Sequence, residues 1–353
     1  MVNQESVLDA LRVVIDPDLH RDIVSLGFVK DLKVHDNRVS FALQLTTPAC
    51  PVKDQLKQQA YDAVKTLGAD AVEINMTFDV RPHAGMTGSA MLAGVKNVVP
   101  VASGKGGVGK STVSANLAVA LSKTGAKVGL LDADVYGPSI PTILGITDTP
   151  KPSQHGIQPV MAYGVRVISA GFFIRPDQAV VWRGPMLAKM IEQFLSQVDW
   201  GELDYLIVDL PPGTGDVHLT LAQSVPLTGA VIVSTPQDVG LRISVKTLRM
   251  FEQTKVPILG IVENMAYWVC GHCGSKDYIF GEGGAERAAR EMDIPFLGAV
   301  PLDLPIREQS DAGVPIVVAY PEAESSRALS RIAEQIAAQV SIRNYEAPVL
   351  EID

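Results

Sequence analysis

The chain has 353 residues, of which 47% are hydrophobic and 20% are charged, so it is long and apolar enough to form two folded domains. Its net charge of −9 offers no basic surface to a phosphate backbone, and we expect no nucleic-acid partner. No stretch approaches the ~18 uninterrupted apolar residues of a membrane span, so no membrane association is expected. Three cysteines, an odd number, and a start without a basic, apolar leader predict a reducing, cytoplasmic location.

Residues 1–80 are predicted to form a small α+β domain. "SVLDALRVVI" has helical apolar spacing, and the residues on either side of Asp36-Asn37 alternate as the two strands of a hairpin do. "VKDQLKQQAYDAVKTLG" is helical again, and "AVEINMTFDV" alternates. The pattern indicates two helices packed on a sheet built around one hairpin.

The composition changes twice after this domain. Residues 81–96 mix Pro, Gly and small side chains without a period, which predicts a flexible linker. Residues 97–353 alternate short apolar runs with helical segments, which is typical of a doubly wound α/β domain with a mostly parallel sheet. The predicted strands are "NVVPVAS", "KVGLLDAD", "YLIVDLPP", "GAVIVSTP", "ILGIVENM" and "FLGAVP". Ligands of such sheets bind beyond the carboxyl ends of the strands.

A glycine-rich loop follows the first of these strands and leads into a helix. Gly104–Ser111 has the spacing G-x-x-x-x-G-K-S, in which backbone amides surround phosphates, the lysine contacts the β and γ phosphates and the serine hydroxyl ligates magnesium. The loop predicts a site for ATP and Mg²⁺. The nucleotide-binding residues expected here are Gly104, Lys105, Gly106, Gly107, Val108, Gly109, Lys110, Ser111 and Thr112.

The second lysine of the loop, Lys105, makes "GKGGVGKS" similar to the deviant Walker A loop of the MinD, ParA and nitrogenase iron protein class. The resemblance implies a homodimer in which Lys105 contacts the nucleotide of the partner subunit. Lys105 and Lys110 are therefore expected to take part in catalysis.

Polar residues end the later strands. In "LLDADVYGPS" the resemblance implies that Asp134 orients the attacking water and that Asp132 supports the magnesium or the loop; the alternative is that both are turn carboxylates. Asp209 is expected to hold magnesium through a water, as in a Walker B strand. Asn264 matches the position that hydrogen-bonds adenine in this class, with an ordinary turn residue as the alternative. Asp216 is the next candidate for positioning the water.

Cys270 and Cys273, in "CGHCG", have the spacing of a metal-ligand or redox pair. A cluster or a structural zinc ion needs four ligands, and the second domain has no other cysteine. Cys50 lies between a predicted strand and a helix, where it is either a reactive or accessory ligand or a small buried apolar residue. Zinc held by four thiolates, or by two thiolates with His272 and water, remains an alternative to a cluster.

The second domain, through "KGGVGKS", "DADVYGPSIP", "VDLPPGTGD" and "ENMAYWVC", resembles the Mrp/ApbC family of iron–sulfur cluster carrier ATPases. The first domain is similar to PaaD-type iron–sulfur assembly proteins through "DPDLHRDIVSLGFVKDL" and "TTPACP". These resemblances imply an ATPase that carries an iron–sulfur cluster to apoprotein recipients, with scaffold proteins as further partners. A thiol–disulfide oxidoreductase and a MinD- or ParA-like positioning ATPase are the alternatives.

The missing ligands are expected from a second copy of the chain. A two-fold axis places each cysteine pair opposite its own copy. We therefore predict one [4Fe-4S] cluster held by Cys270 and Cys273 of both subunits of the dimer.

Overall fold

The computed structural model describes residues 2–86, 91–154, 156–174, 184–213 and 215–346. The described residues form two compact units, one within Met1–Arg81 and Ala337–Asp353, the other within Pro82–Ile336. The predicted boundaries at 80/81 and 96/97 differ from this division, because the segment from Pro82 belongs to the second unit and the chain after Ile336 belongs to the first.

The first unit contains a three-stranded sheet and two helices. Its elements are α1 (Gln4–Leu11), β1 (Ile15–Asp16), β2 (Arg21–Asp22), β3 (Val29–His35), β4 (Arg38–Leu45), α2 (Lys53–Lys65) and β5 (Ala71–Phe78). β3 and β4 are antiparallel, and β5 runs parallel to β4. Asp36 and Asn37 join the hairpin with φ values of +46° and +62°, which Asn and Asp tolerate better than most residues.

The second unit contains an eight-stranded sheet with helices and two small two-stranded sheets. Its first half comprises β6 (Val98–Ser103), α3 (Lys110–Lys123), β7 (Val128–Asp132), α4 (Ile140–Ile143), β8 (Lys151–Ser153), β9 (Gly156–Gln158), β10 (Val160–Ala162), β11 (Val165–Ser169), a 3₁₀ turn (Ala170–Phe172) and α5 (Gly184–Ser196). The remaining elements are β12 (Tyr205–Asp209), α6 (Asp216–Ser224), β13 (Ala230–Ser234), α7 (Asp238–Gln253), β14 (Ile258–Glu263), β15 (Trp268–Val269), β16 (Lys276–Asp277), α8 (Gly284–Glu291), β17 (Phe296–Ala299), α9 (Leu304–Asp311), α10 (Ile316–Ala319) and α11 (Glu324–Glu346). The part of α11 from Ala337 onward belongs to the first unit.

The large sheet has the strand order β10-β11-β7-β12-β6-β13-β14-β17. Only the edge pair β10–β11 is antiparallel among its described pairs. Every residue of β6, β7, β12, β13 and β14 is buried, because both faces of a parallel sheet are covered by crossover helices. The carboxyl ends of these strands meet at one edge, as predicted for a doubly wound α/β domain.

The predicted linker is packed in its described part. Met86, Leu92 and Val95 are each 5% exposed or less and belong to the apolar core of the second unit. The backbone N–H of Lys96 donates to the carbonyl of Leu203 at 2.9 Å. The segment is rich in small residues and Pro and has neither a helical nor a strand repeat, so its burial cannot be predicted from hydrophobic periodicity.

The helix α11 buries apolar side chains along its length, including Leu329, Ile332 and Ile336. It is therefore a packing helix. Among the described residues, no helix combines the length and the apolar character needed to cross a bilayer.

Leu131 tests the central role of β7. Its side chain is fully buried in the core, so Leu131→Ala should lower the free energy of unfolding of the second unit by about 2–5 kcal/mol. The matched control is Met161→Ala on edge strand β10, where the residue is 59% exposed and a change within about 0.5 kcal/mol is expected. Native-state hydrogen exchange of the β12 amides measures the free energy of unfolding of both variants. Equal shifts in the two variants would contradict the assignment of β7 to the core.

Candidate functional site

The loop between β6 and α3 has the backbone of a phosphate-binding loop. Gly107 and Gly109 both have φ of +79°, a region that residues with a Cβ rarely adopt. Gly109 caps α3, and a Cβ added there would collide with the side-chain amide nitrogen of Asn264. Glycine is therefore needed at Gly109 for both its dihedral angle and its space, and the N-terminus of α3 is open to an anion.

Three residues at the start of α3 converge on the carboxylate of Asp209 at the end of β12. Nζ of Lys110 lies 2.8 Å from its Oδ1. The hydroxyls of Ser111 and Ser114 donate to Oδ2 at 2.6 Å and to Oδ1 at 2.7 Å. Asp209 is fully buried and Lys110 is 6% exposed, so this charge pair is compensated by direct contact rather than by solvent.

Asp132, at the end of β7, holds the segment that follows it. The hydroxyl of Ser169 donates to its carboxylate at 2.7 Å, and the backbone N–H groups of Asp134 and Ile140 donate at 3.2 and 3.3 Å. Burial and the nearby Asp209 carboxylate raise the pKa of Asp132 to about 8. In this geometry Asp132 supports the loop from Asp134 to Ile140, and Ser169 is part of that support.

Asp134 faces the phosphate loop. Its Oδ2 lies 3.5 Å from Nζ of Lys110, whereas its buried Oδ1 has no hydrogen-bond partner among the residues that the structure describes. Burial raises the pKa of Asp134, and the ammonium of Lys110 opposes that shift. An unpaired carboxylate oxygen at this position is suited to accept a hydrogen bond from a small polar group beside the loop.

Two neighbouring cavities share residues of this loop. A cavity of about 200 Å³ is lined by the phosphate loop together with Asp134 and Pro212. A second cavity of about 450 Å³ lies beside it, mainly apolar, with Asn264, Met265, Leu302 and residues of α9 in its wall. The side-chain amide of Asn264 donates to the carbonyl of Val108 at 2.8 Å. The pair of cavities has the layout of a polar phosphate pocket next to a pocket for a base.

Lys105 contacts a residue of its own chain. Its Nζ donates to Oε1 of Gln237 at 2.9 Å, just before α7. Lys105 was identified from the sequence but Gln237 was not, because nothing in the pattern around the start of α7 indicates that Gln237 lies near the loop.

The side chain of Asp216, the second candidate for positioning a water, lies outside the described part of the structure.

Cys270 and Cys273 lie at the tip of a short hairpin between β15 and β16. The backbone N–H of Cys270 donates to the carbonyl of Ser275 at 2.9 Å, and that of Gly274 donates to the carbonyl of Cys270 at 2.8 Å. Cys273 is exposed and Cys270 is partly exposed. Among the described residues, no group of three or more His, Cys, Asp and Glu side chains is arranged to hold a metal ion.

The thiols differ in their electrostatic surroundings. The hydroxyl oxygen of Ser275 lies 3.1 Å from Sγ of Cys273. Hydrogen bonds from this hydroxyl and from the backbone of Ser275 lower the pKa of Cys273. Burial raises the pKa of Cys50 to about 11. Cys50 is 6% exposed in the core of the first unit, which fits the buried apolar alternative rather than a reactive thiol.

Sequence reasoning did not find Ser114, Ser169 or Gln237. Ser114 follows Ser111 by three residues, slightly less than one helical turn, so a helical projection places both hydroxyls near one face. The edge pair β10–β11, which carries Ser169, was missed because its turn at Tyr163-Gly164 lacks the Asn-Gly or Asp-Gly signal of a two-residue hairpin.

Gly109→Ala tests the geometry of the loop. The strained φ and the collision with Asn264 should displace the N-terminus of α3 and weaken ADP binding by at least about tenfold. Gly68→Ala is the control, because Gly68 has a φ of +81°, lies in the first unit and has no atom within 4 Å of the point that a Cβ would occupy. A fluorescent ADP analogue measures both affinities, and wild-type affinity in Gly109→Ala would contradict the described loop.

Comparison with known proteins identifies the family. The sequence matches the NUBPL iron-transfer P-loop NTPase family over residues 94–337 and the iron-sulfur cluster assembly protein family over residues 4–76. It is 49% identical over 349 residues to an iron-sulfur cluster carrier protein of Synechocystis, covering 97% of this chain and 99% of that protein. It is 48% identical over 258 residues to the iron-sulfur cluster transfer protein NUBPL of Dictyostelium discoideum, covering 72% of this chain and 80% of that protein.

Solved structures agree on the fold. A nucleotide-binding protein of Archaeoglobus fulgidus, in complex with ADP, matches with a TM-score of 0.56 and 47% identity over 62% of this chain and 87% of that chain. The cell division ATPase MinD of Pyrococcus furiosus matches with a TM-score of 0.52 and 26% identity over 68% of this chain and 98% of that chain. The solved structures confirm the predicted doubly wound P-loop fold. The family matches and the relatives confirm the predicted resemblance to iron–sulfur carriers. The chain belongs to the NUBPL iron-transfer family of P-loop NTPases and carries an N-terminal iron-sulfur cluster assembly segment.

Proposed function

We propose that this protein hydrolyses ATP and carries an iron–sulfur cluster, which it binds between two copies of the chain and transfers to apoproteins. The observation that carries the proposal is the pairing of a phosphate loop with two accessible cysteines on one unit. Family membership and the names of the relatives support both parts. The type of cluster, the metal ion at the phosphates and the homodimer are part of the proposal.

The phosphate loop supplies the groups that bind the nucleotide. The backbone amides of Gly104–Gly109 and the N-terminus of α3 surround the phosphates, with Thr112 on the first turn of the helix. Lys110 exchanges its contacts with Asp209 and Asp134 for phosphate oxygens when ATP binds. The base occupies the larger cavity, where Asn264 contacts it.

The residues beside the loop fit a magnesium ion. Ser111 and Asp209 offer a hydroxyl and a carboxylate whose oxygens lie 2.6 Å apart, and Mg²⁺ prefers such hard oxygen donors. Bound there, Mg²⁺ would neutralise charge on the phosphates. Ser111 would hold the ion directly, and Asp209 would hold it through a water.

Asp134 is proposed to orient the attacking water. Its unpartnered Oδ1 and its place in the wall of the phosphate cavity support this role. Asp132 then acts through the loop that it holds. Lys105 is proposed to reach the nucleotide of the partner subunit, which requires it to leave Gln237.

The cysteine hairpin is proposed to ligate a [4Fe-4S] cluster together with its copy. The pair supplies two thiolates, and the described surroundings offer no third and fourth ligand. A two-fold axis through the site would bring two more thiolates and complete the set of four that such clusters need. Binding of ATP would change the contact between subunits and so gate binding or release of the cluster, as in other nucleotide switches.

Asp134→Asn tests the catalytic assignment. The amide keeps the size of the side chain, so ATP should bind within about threefold of wild type, while single-turnover hydrolysis should fall by about 10²-fold or more. The exposed Asp148→Asn is the control and should hydrolyse ATP normally. Wild-type turnover in Asp134→Asn would assign the water to another residue, with Asp216 tested next.

A mixed dimer tests the shared cluster. Wild-type chain is combined with a tagged Cys270→Ser, Cys273→Ser chain, and the heterodimer is isolated and reconstituted without air. It should fail to hold a stable cluster, because only two of the four thiolates remain. Iron and acid-labile sulfide are measured per dimer.

The control for the mixed dimer is wild-type chain paired with tagged Cys50→Ala, which should hold one cluster per dimer because Cys50 is buried in the first unit. A normal cluster in the first heterodimer would rule out the bridged site. A metal without sulfide in the wild type would indicate zinc instead.

A further inference from the structure

The hairpin that presents the two cysteines is too short to fix its own direction. β15 and β16 pair through Trp268 with Asp277 and Val269 with Lys276, and isolated two-stranded hairpins are marginally stable in water. The orientation of the thiols therefore depends on contacts between the hairpin and the rest of the second unit.

Both strands of the hairpin are bound to one carboxylate oxygen. The hydroxyl of Tyr267, just before β15, donates to Oε1 of Glu324 at 2.8 Å. Nζ of Lys276, the first residue of β16, lies 3.1 Å from the same oxygen. The ammonium also lies 3.9 Å from the centroid of the Tyr267 ring, a cation–π arrangement. The three side chains form a closed cluster at the base of the hairpin.

Glu324 is attached to a fixed part of the fold. It is the first residue of α11, where the N-terminal end of the helix favours a negative charge. The hydroxyl of Ser325 donates to Oδ2 of Asp303 at 2.8 Å, and that of Ser326 donates to the carbonyl of Ile316 at 2.9 Å. Both serines are fully buried. The first turn of α11 is thereby held by two other segments of the unit.

Tyr267 and Lys276 share one acceptor, the carboxylate of Glu324, so this group of three side chains is more than an exposed ion pair. A single surface pair contributes little, since solvent screens it. Here the hydrogen bond from Tyr267, followed by the contacts with Lys276, lowers the pKa of Glu324. Removing Glu324 removes the side-chain contact of both strands at once, and the backbone N–H of Leu302, which donates to the carbonyl of Tyr267 at 2.7 Å, then remains. Removing either donor leaves the other bound to Glu324.

We propose that Glu324 is a positioning residue for the cysteine pair. By binding Tyr267 and Lys276 it fixes the hairpin so that the thiols of Cys270 and Cys273 can bind the same iron–sulfur cluster. The inference rests on the proposed ligation of a cluster by this pair. A site completed by two copies needs each half in place beforehand, because thiolate ligands tolerate only small errors in distance and angle.

Glu324→Ala and Glu324→Gln test the inference. In cluster-free protein, the amides of residues 266–280 should exchange deuterium about three- to tenfold faster in Glu324→Ala. Glu324→Gln should fall between this variant and wild type, because the amide still accepts from Tyr267 but lacks the charge. In reconstituted protein, loss of the cluster to an iron chelator should accelerate in the same order, while ATP hydrolysis stays unchanged.

Two further variants separate positioning from a general loss of stability. Glu286→Ala removes an exposed ion pair with Arg290, 3.3 Å long, on α8, and should leave exchange at 266–280 unchanged. Tyr267→Phe should accelerate exchange in the wild type and add nothing in the Glu324→Ala background, because the two residues act through one contact.

The outcomes distinguish this inference from the proposed function. If wild-type protein binds no cluster, the proposed function fails, and deuterium exchange alone decides on Glu324. If wild-type protein binds a cluster but Glu324→Ala exchanges and releases it at the wild-type rate, the positioning role is overturned. Additive effects of Tyr267→Phe and Glu324→Ala would also overturn it.

Discussion

The buried carboxylate of Asp209 is the contact on which the nucleotide side of the structure depends. It lies at the end of a central strand and binds Lys110, Ser111 and Ser114, all from the start of α3. Removing one partner of a buried charge is strongly unfavourable, since the other is left without compensation. The phosphate loop is thus held between the sheet and the helix before any ligand arrives, and the left-handed glycines complete its shape.

The segment that follows β14 connects the two halves of the proposed activity. Asn264 contacts the phosphate loop through the carbonyl of Val108, and Cys270 follows six residues later on the hairpin. A shift of the loop on binding ATP would act on a strand end that leads directly to the cysteines. The opposite end of the hairpin is bound to α11 through Glu324. A contact with the phosphate loop therefore precedes the cysteine pair in the chain, and contacts with Glu324 lie on both sides of the pair.

Much of this could be predicted from the sequence, because its signals are local. Strands buried on both faces are continuous apolar runs, and the loop from Gly104 to Ser111 carries its spacing with it. Ser169 and Glu324 could not be found in this way, since each meets its partner only through the tertiary fold. The composition of residues 81–96 predicts a flexible linker, and the burial of Met86, Leu92 and Val95 could not be predicted because their spacing follows no period. Lys105 was expected to reach a partner subunit, and its contact with Gln237 within the chain depends on where α7 begins.

The most direct test of the shared cluster is native mass spectrometry of wild-type protein purified and reconstituted without air. The account predicts a species with the mass of two chains and one four-iron, four-sulfide cluster, and a single chain that carries no cluster. Cluster-bearing single chains, or a dimer that holds one cluster in each subunit, would contradict it.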